Sequence, residues 1–265
     1  MIDQVVADAL EADYTVDAFH RGDFFLVQLR ARGHRAGMDS MVLAAAVPSG
    51  FDGAVADFGS GAGAAGLAVA SRCPAATVTL VERSPDMVHC AMRSLALPAN
   101  ARLASRVAVL PADVALRGKE RTAAGLAERS FDFVVMNPPF NASGDRRSPD
   151  ALRSEAHVMD GAVLEDWIRS AAAVLRPGGR IAAIVRPDSL GPLLSALAGR
   201  FGAVQIMPVH PREGAAAIRV VARAVRGSRA APALLPPLYL HEPGSDRFGA
   251  HADLINNGRA TLFAD

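Results

Sequence analysis

The apolar run at 131–136, FDFVVM, stops at Asn137-Pro138-Pro139-Phe140: an amide, two prolines and an aromatic ring within four residues. An amide carbonyl accepts hydrogen bonds, prolines stiffen the turn that carries it, and a phenyl face can stack on a planar group. Upstream, the glycine-rich stretch 57–66, DFGSGAGAAG, supplies a backbone that can turn sharply and approach a ligand closely. Three acids, Asp57, Glu82 and Asp113, each fall at the end of an apolar segment. Asn-Pro is also ordinary turn punctuation, so chemistry depends on these residues being brought to one place.

The elements that would bring them together alternate along the chain. Strands are expected at 54–58, 76–82, 106–113, 131–136 and 180–185, with helices at 64–72, from Ser84 to about Leu97, at 162–175 and at 188–201. Gly178-Gly179 is expected to stop the third of these helices. Strands at 203–209 and 216–225 follow each other through His-Pro-Arg-Glu-Gly with no helix between, a hairpin that makes one of them antiparallel. The pattern predicts an α/β fold, a doubly wound, mostly parallel seven-stranded sheet with a C-terminal antiparallel hairpin strand. Residues 1–50 carry no such alternation beyond an apolar helix at 39–47, and are expected to pack on the core as an extension. The core domain then spans 51–229, and the Pro-rich tail 230–265 is expected to lie across it as a strap. The stretch 141–160 reads as irregular.

Composition narrows the function classes. A chain of 265 residues, 51% hydrophobic, buries a core without staples, and a formal net charge of +1 announces no bulk nucleic-acid binder. Lys119 is the only lysine, so arginine clusters carry less weight as evidence here. The two cysteines, Cys73 and Cys90, lack ligand spacing; no metal is expected, and a reducing compartment is. With no leader pattern and no apolar stretch of spanning length, a cytoplasmic location is expected.

Gly61–Gly66 matches GxGxxG, and Glu82 closes the next strand, as in dinucleotide sites. Asp57 stands against a pyrophosphate, which it would repel, and suits a ligand bearing an ammonium group. Asp113 adds an acceptor for an adenine amine. This order of acid, glycine loop, acid and acid resembles class I S-adenosylmethionine-dependent methyltransferases. The resemblance implies S-adenosylmethionine as cofactor and S-adenosylhomocysteine as product, held by Asp57, Gly59, Gly61, Glu82, Asp113, Val114 and Asn137. Glu82 would take the ribose hydroxyls, since a carboxylate accepts from both.

Asn137-Pro138-Pro139-Phe140 in turn resembles the motif of amino-methyltransferases acting on planar nitrogens: adenine N6, cytosine N4 or glutamine N5. The implied catalytic set is Asn137, Pro138 and Phe140. The Asn137 side-chain carbonyl and the Pro138 backbone carbonyl each accept one N–H of an amine whose lone pair is delocalised, favouring its localisation as the bond forms. Phe140 stacks on the base or amide plane.

The segment 19–48, with Gly33, Arg35, Gly37, Asp39 and Leu43-Ala44-Ala45, resembles the bacterial tRNA(Val) adenine-N6 methyltransferase family, as do LRPGGRIAAIVRP, PVHPREGAAAIRVVARAVRG and LLPPLYLHE downstream. That resemblance implies adenine N6 in tRNA or another structured RNA as substrate, with Arg35, Gly37 and Asp39 closing over the methionine end of the cofactor. Arg146, Arg147, Arg212 and Arg219 are the candidates for phosphate contact. Protein glutamine-N5 methylation is the alternative from the same motif, and a nicotinamide oxidoreductase the alternative from the glycine loop alone. The glutamine-N5 enzymes carry a separate N-terminal helical domain, whereas about fifty residues precede the first strand here.

Overall fold

The computed structural model describes residues 13–30, 35–139 and 151–264, the stretch 151–160 by its backbone alone. Eleven strands and eight α-helices are described. Two strands form a separate antiparallel hairpin, β1 (Tyr14–Phe19) and β2 (Phe24–Leu29). Helix α1 (Met38–Ala44) leads into β3 (Ala54–Phe58), α2 (Ala64–Arg72), β4 (Thr77–Glu82) and α3 (Pro85–Ala96). Then come α4 (Ala101–Ala104), β5 (Val107–Pro111), α5 (Gly118–Ala123), β6 (Phe131–Met136), α6 (Ala151–Val174), β7 (Leu175–Val185) and α7 (Leu190–Leu197). The chain closes with β8 (Phe201–His210), β9 (Arg219–Arg226), the short β10 (Ala233–Leu234) and β11 (Leu238–Tyr239), and α8 (Ala250–Asn256).

The large sheet runs β10-β8-β9-β7-β6-β3-β4-β5, with β11 also on β8. Strands β3 to β7 pair in parallel, whereas β9 is antiparallel to both β7 and β8. The seven long strands are those expected from the sequence. The tail, expected as a strap lying across the core, adds β10 and β11, two-residue strands parallel to the outer edge of β8.

Central strands are apolar at nearly every position because both faces are covered. Successive side chains of β6 point to opposite sides: Phe133 and Val135 join a core with α1 and α2, while Val134 and Met136 join another with α6 and α7. Two expectations need correction. Residues 1–50 include the β1–β2 hairpin, with Phe24 and Leu26 fully buried. The irregular stretch expected over 141–160 gives way to helix from Ala151, since α6 starts there.

Parallel strands with helical crossovers bring all their C-terminal ends to one edge. Because β9 runs the other way, its first residue, Arg219, arrives at that same edge.

Candidate active site

A cleft of about 900 Å³ opens along this edge. Of the residues singled out in the sequence, Asp39, Asp57, Gly59, Gly61, Glu82, Asp113, Val114, Asn137, Pro138 and Arg219 line it. Arg35 and Gly37 do not: Arg35 pairs with Asp17 at 2.8 Å, and Gly37 precedes α1. Asp17 also accepts from Gln28, whose amide oxygen accepts the Ala36 N–H, so this segment is tied to the hairpin. Phe140, Arg146 and Arg147 lie outside the described residues. Arg212 is engaged by Asp246 and the Ser245 carbonyl.

The glycine loop is held by the acids around it. Gly59, Gly61 and Gly63 have φ of +66°, +56° and +97°, left-handed values that an L side chain resists. A Cβ at Gly59 would meet Trp167 Cη2 at 2.3 Å, and one at Gly66 would meet Leu80 Cδ2 at 2.2 Å. Gly66 is therefore a packing glycine between α2 and the sheet. Its N–H donates to Asp57 Oδ2 at 2.8 Å. Asp57 is buried, which pushes its carboxyl up to about 7; the Gly66 bond opposes this and the Glu82 charge adds to it.

Glu82 is also buried, and its two oxygens accept the N–H groups of Gly61 (2.9 Å) and Ser84 (2.8 Å). Each oxygen retains a lone pair, and the carboxylate sits at the strand end beside the cleft. Asp113 accepts from the Ala115 N–H and pairs with Arg83 at 3.1 Å. Across the glycine loop, Asn137 is half-buried and Pro138 buried, and the Asn137 amide makes no hydrogen bond to another described residue. Ser60 Oγ is buried in the loop without a described partner.

These features fit an adenosyl cofactor. An acid at the end of β4 suits a ribose diol, and one after β5 lies beside apolar Val114 and Met87. Ser60, in the loop between Asp57 and α2, lines the same cleft, with its hydroxyl buried and without a described partner. Trp167, Gln28 and Arg186 also line the cleft. The helical spacing around Trp167 marks it as core, and it is core, but the same ring closes the cleft floor against Gly59.

Among the described residues, no helix is long and apolar enough to cross a membrane. A family model for the methyltransferase small domain matches residues 35–211. A tRNA1(Val) (adenine(37)-N6)-methyltransferase from Porphyromonas gingivalis is 30% identical over 160 residues, 59% of this chain and 60% of the relative. A release factor glutamine methyltransferase from Mycolicibacterium smegmatis is 34% identical over 140 residues, 49% of this chain and 45% of the relative. The chain thus spans about half to three fifths of the length of the curated relatives it matches. Among solved structures, a predicted O-methyltransferase from Agrobacterium tumefaciens is 42% identical, covers 84% of this chain and 98% of its own, and superposes with a TM-score of 0.74. The Thermus thermophilus 16S rRNA N2 G1207 methyltransferase, solved with AdoMet and guanosine, shares the fold at 24% identity over 80% of this chain and 50% of its own, with a TM-score of 0.54. Glycine loop, acidic strand ends and family model agree: the chain belongs to the methyltransferase small domain family, class I methyltransferases whose methyl donor is S-adenosylmethionine.

Proposed function

We propose that this protein transfers a methyl group from S-adenosylmethionine to an exocyclic amine, adenine N6 in tRNA or another structured RNA. One observation carries the reading: the Asn137-Pro138 turn opens into the cleft that Glu82 and Asp113 line, with the Asn137 amide uncommitted to any described residue. When bound, the cofactor supplies a methyl on a positively charged sulfur. Asn137 Oδ1 and the Pro138 carbonyl hold the two amine hydrogens, pointing the nitrogen lone pair into the cleft. The ring constraint of Pro138 and Pro139 fixes these acceptors before substrate arrives. The amine proton leaves after transfer, so no cleft residue must act as a base first. Phe140 is proposed to stack on the base, and Arg146 and Arg147 to meet flanking phosphates.

The relatives named for adenine(37)-N6 methylation support the RNA substrate, and a cytoplasmic location goes with it. The glutamine methyltransferase relative favours a second reading, because a glutamine amide presents the same planar NH2 to the same acceptors. We read 51–229 as the methyltransferase domain, with 1–50 and 230–265 as flanking segments packed on it. The test is incubation with radiolabelled S-adenosylmethionine and unmodified tRNA, bulk RNA, DNA or release factor, followed by nucleoside and amino-acid analysis. N6-methyladenosine in tRNA is the expected product. Label in glutamine would move the assignment to the second reading, and binding of NAD but not S-adenosylhomocysteine would overturn both.

A further inference from the structure

A second cavity, of about 400 Å³, lies on the sheet toward the end away from the cleft. Its polar side chains are Arg180 of β7, Arg223 of β9 and Gln205 of β8; alanines and Val225 make the rest of the wall. The register places all three on one face. Arg180 is opposite Val225, Ala182 is opposite Arg223, and Arg223 is opposite Gln205 on its other side. Five residues of β7 separate Arg180 from Val185 at the cleft edge, roughly 17 Å of strand. The cavity and the cleft share no lining residue.

The polar side chains of this cavity present donors. Arg223 is 7% exposed and fixed in place. Its Nε donates to Gln205 Oε1 at 2.9 Å, its Nη2 donates to the Ala264 carbonyl at 3.1 Å, and its guanidinium carbon lies 4.4 Å from the Phe263 ring centroid. With its oxygen engaged by Arg223, Gln205 keeps its NH2, which has no hydrogen bond to a described residue. Arg180 is half-buried and makes no hydrogen bond or ion pair to a described residue. Guanidiniums diagonal to each other on one sheet face repel, and a half-buried one without a counter-charge is costly. The backbone here is also irregular. Strand β8 shifts register between Gly202 and Gln205, and Ala203, in the cavity wall, has φ of +50°. A bulge of this kind re-aims neighbouring side chains, here Gln205, at a cost in strain. Both ends of the tail complete the wall, Ala231 and Ala233 at its start and Ala264 at its finish.

We propose that this cavity binds a phosphate monoester, with Arg180 and the Gln205 NH2 donating to its oxygens and Arg223 adding positive charge beside them. A monoester carries about −1.5 to −2 charges at pH 7 and three acceptor oxygens, which suits two guanidiniums and an amide on one face. The planar fork of Arg180 meets two of those oxygens at once. Gln205 and Arg223 are set before the ligand arrives, so little ordering is left for binding to supply. The site stands apart from the methyl-transfer reading, because no group of the cleft takes part in it.

Calorimetric titration of the full chain with inorganic phosphate and with ribose 5-phosphate, in a phosphate-free buffer, tests this. Saturable binding with a Kd of about 1 mM or tighter is expected, unchanged by saturating S-adenosylhomocysteine. Arg180→Gln is expected to weaken it about tenfold, as for loss of a charge-assisted hydrogen bond. Gln205→Glu keeps an acceptor for Arg223 Nε, and with it the local packing, but exchanges the NH2 for a second acceptor; it is expected to weaken binding by more than Arg180→Gln does. No saturation by either phosphate, equal affinity in wild type and both variants, or displacement by S-adenosylhomocysteine would overturn the inference. A shallower salt dependence of tRNA binding in Arg180→Gln, with neither monoester bound by wild type, would also overturn it and assign Arg180 to an RNA phosphodiester.

Discussion

At the scale of single residues, the site depends on which acceptors are already occupied. Asn137 is uncommitted among the described residues, whereas Asp57 and Glu82 hold the glycine loop. Asn137→Ala is therefore expected to change S-adenosylhomocysteine affinity far less than methyl transfer, which falls roughly 10²-fold, the loss of one oriented acceptor. Single-turnover transfer with equilibrium binding checks it, and unchanged turnover would remove Asn137 from the mechanism. Asp57 makes a separate prediction through pH. Its folded value of about 7 lies above its ordinary 3.8, so the folded chain keeps a proton that the unfolded chain has lost. The resulting stabilisation is full below the ordinary value and is lost as pH rises through about 7, on the order of a few kcal/mol. An asparagine can still accept the Gly66 N–H without that dependence. In the ligand-free protein, the Tm of Asp57→Asn relative to wild type should rise between pH 4 and pH 8; parallel curves would contradict the shift. The acids and glycines were legible because each belongs to a short local pattern. The ion pair of Arg219 Nε with Asp39 Oδ2, at 2.8 Å, was not, because nothing local links residues 180 apart, and Arg219 alone resembled any other arginine in an arginine-rich chain.

At the scale of elements, the strands and helices that carry the cleft followed from apolar periodicity, but one pair escaped it. The β1–β2 turn is made by His20 and Arg21 at φ of +49° and +56°, with Gly22 at +94°. Hairpin turns are recognised by Asn-Gly or Asp-Gly at such angles, and His-Arg-Gly carries no such signature. The seat of α6 was also illegible: its helical spacing marks Trp167 as core without saying what the ring meets. It meets Gly59, and this contact makes a sharp prediction. Gly59→Ala places a Cβ at 2.3 Å from Trp167 Cη2 on a backbone at φ +66°. Overpacking and left-handed strain together are expected to cost about 2–4 kcal/mol. Trp167→Phe removes the outer ring from that spot, so the double variant should lose less than the sum of the two single losses. Chemical denaturation of all four chains measures this; strict additivity would show that the clash is relieved elsewhere.

At the scale of the whole molecule, the cleft is built from one sheet but braced by the C-terminal tail. Leu238, Leu240, Ile255, Leu262 and Phe263 are buried in the same core as α1 and α2. The Leu262 N–H donates to the Ala45 carbonyl at the end of α1. Arg72, buried at the end of α2, joins these parts by hydrogen bonds to the carbonyls of Ala44, Val47 and Ala260 and to Ser49 Oγ. The guanidinium thus fastens the tail to the helix that presents Asp39 to the cleft. Its removal leaves several buried carbonyls short of a donor, each a cost of about 1–3 kcal/mol where relaxation does not restore one. Methionine keeps most of the apolar stem volume and none of the donors. Arg72→Met is therefore expected to lower stability by roughly 2–4 kcal/mol, and to do so unevenly. The tail after Arg229 should become the first segment cut in limited proteolysis, before the parallel strands open, because its docking depends on that guanidinium more than theirs does. Weaker S-adenosylhomocysteine binding should accompany the cutting, through α1 and Asp39. A variant as resistant as wild type, with unchanged Tm, would mean that the buried apolar residues of the tail dock it unaided.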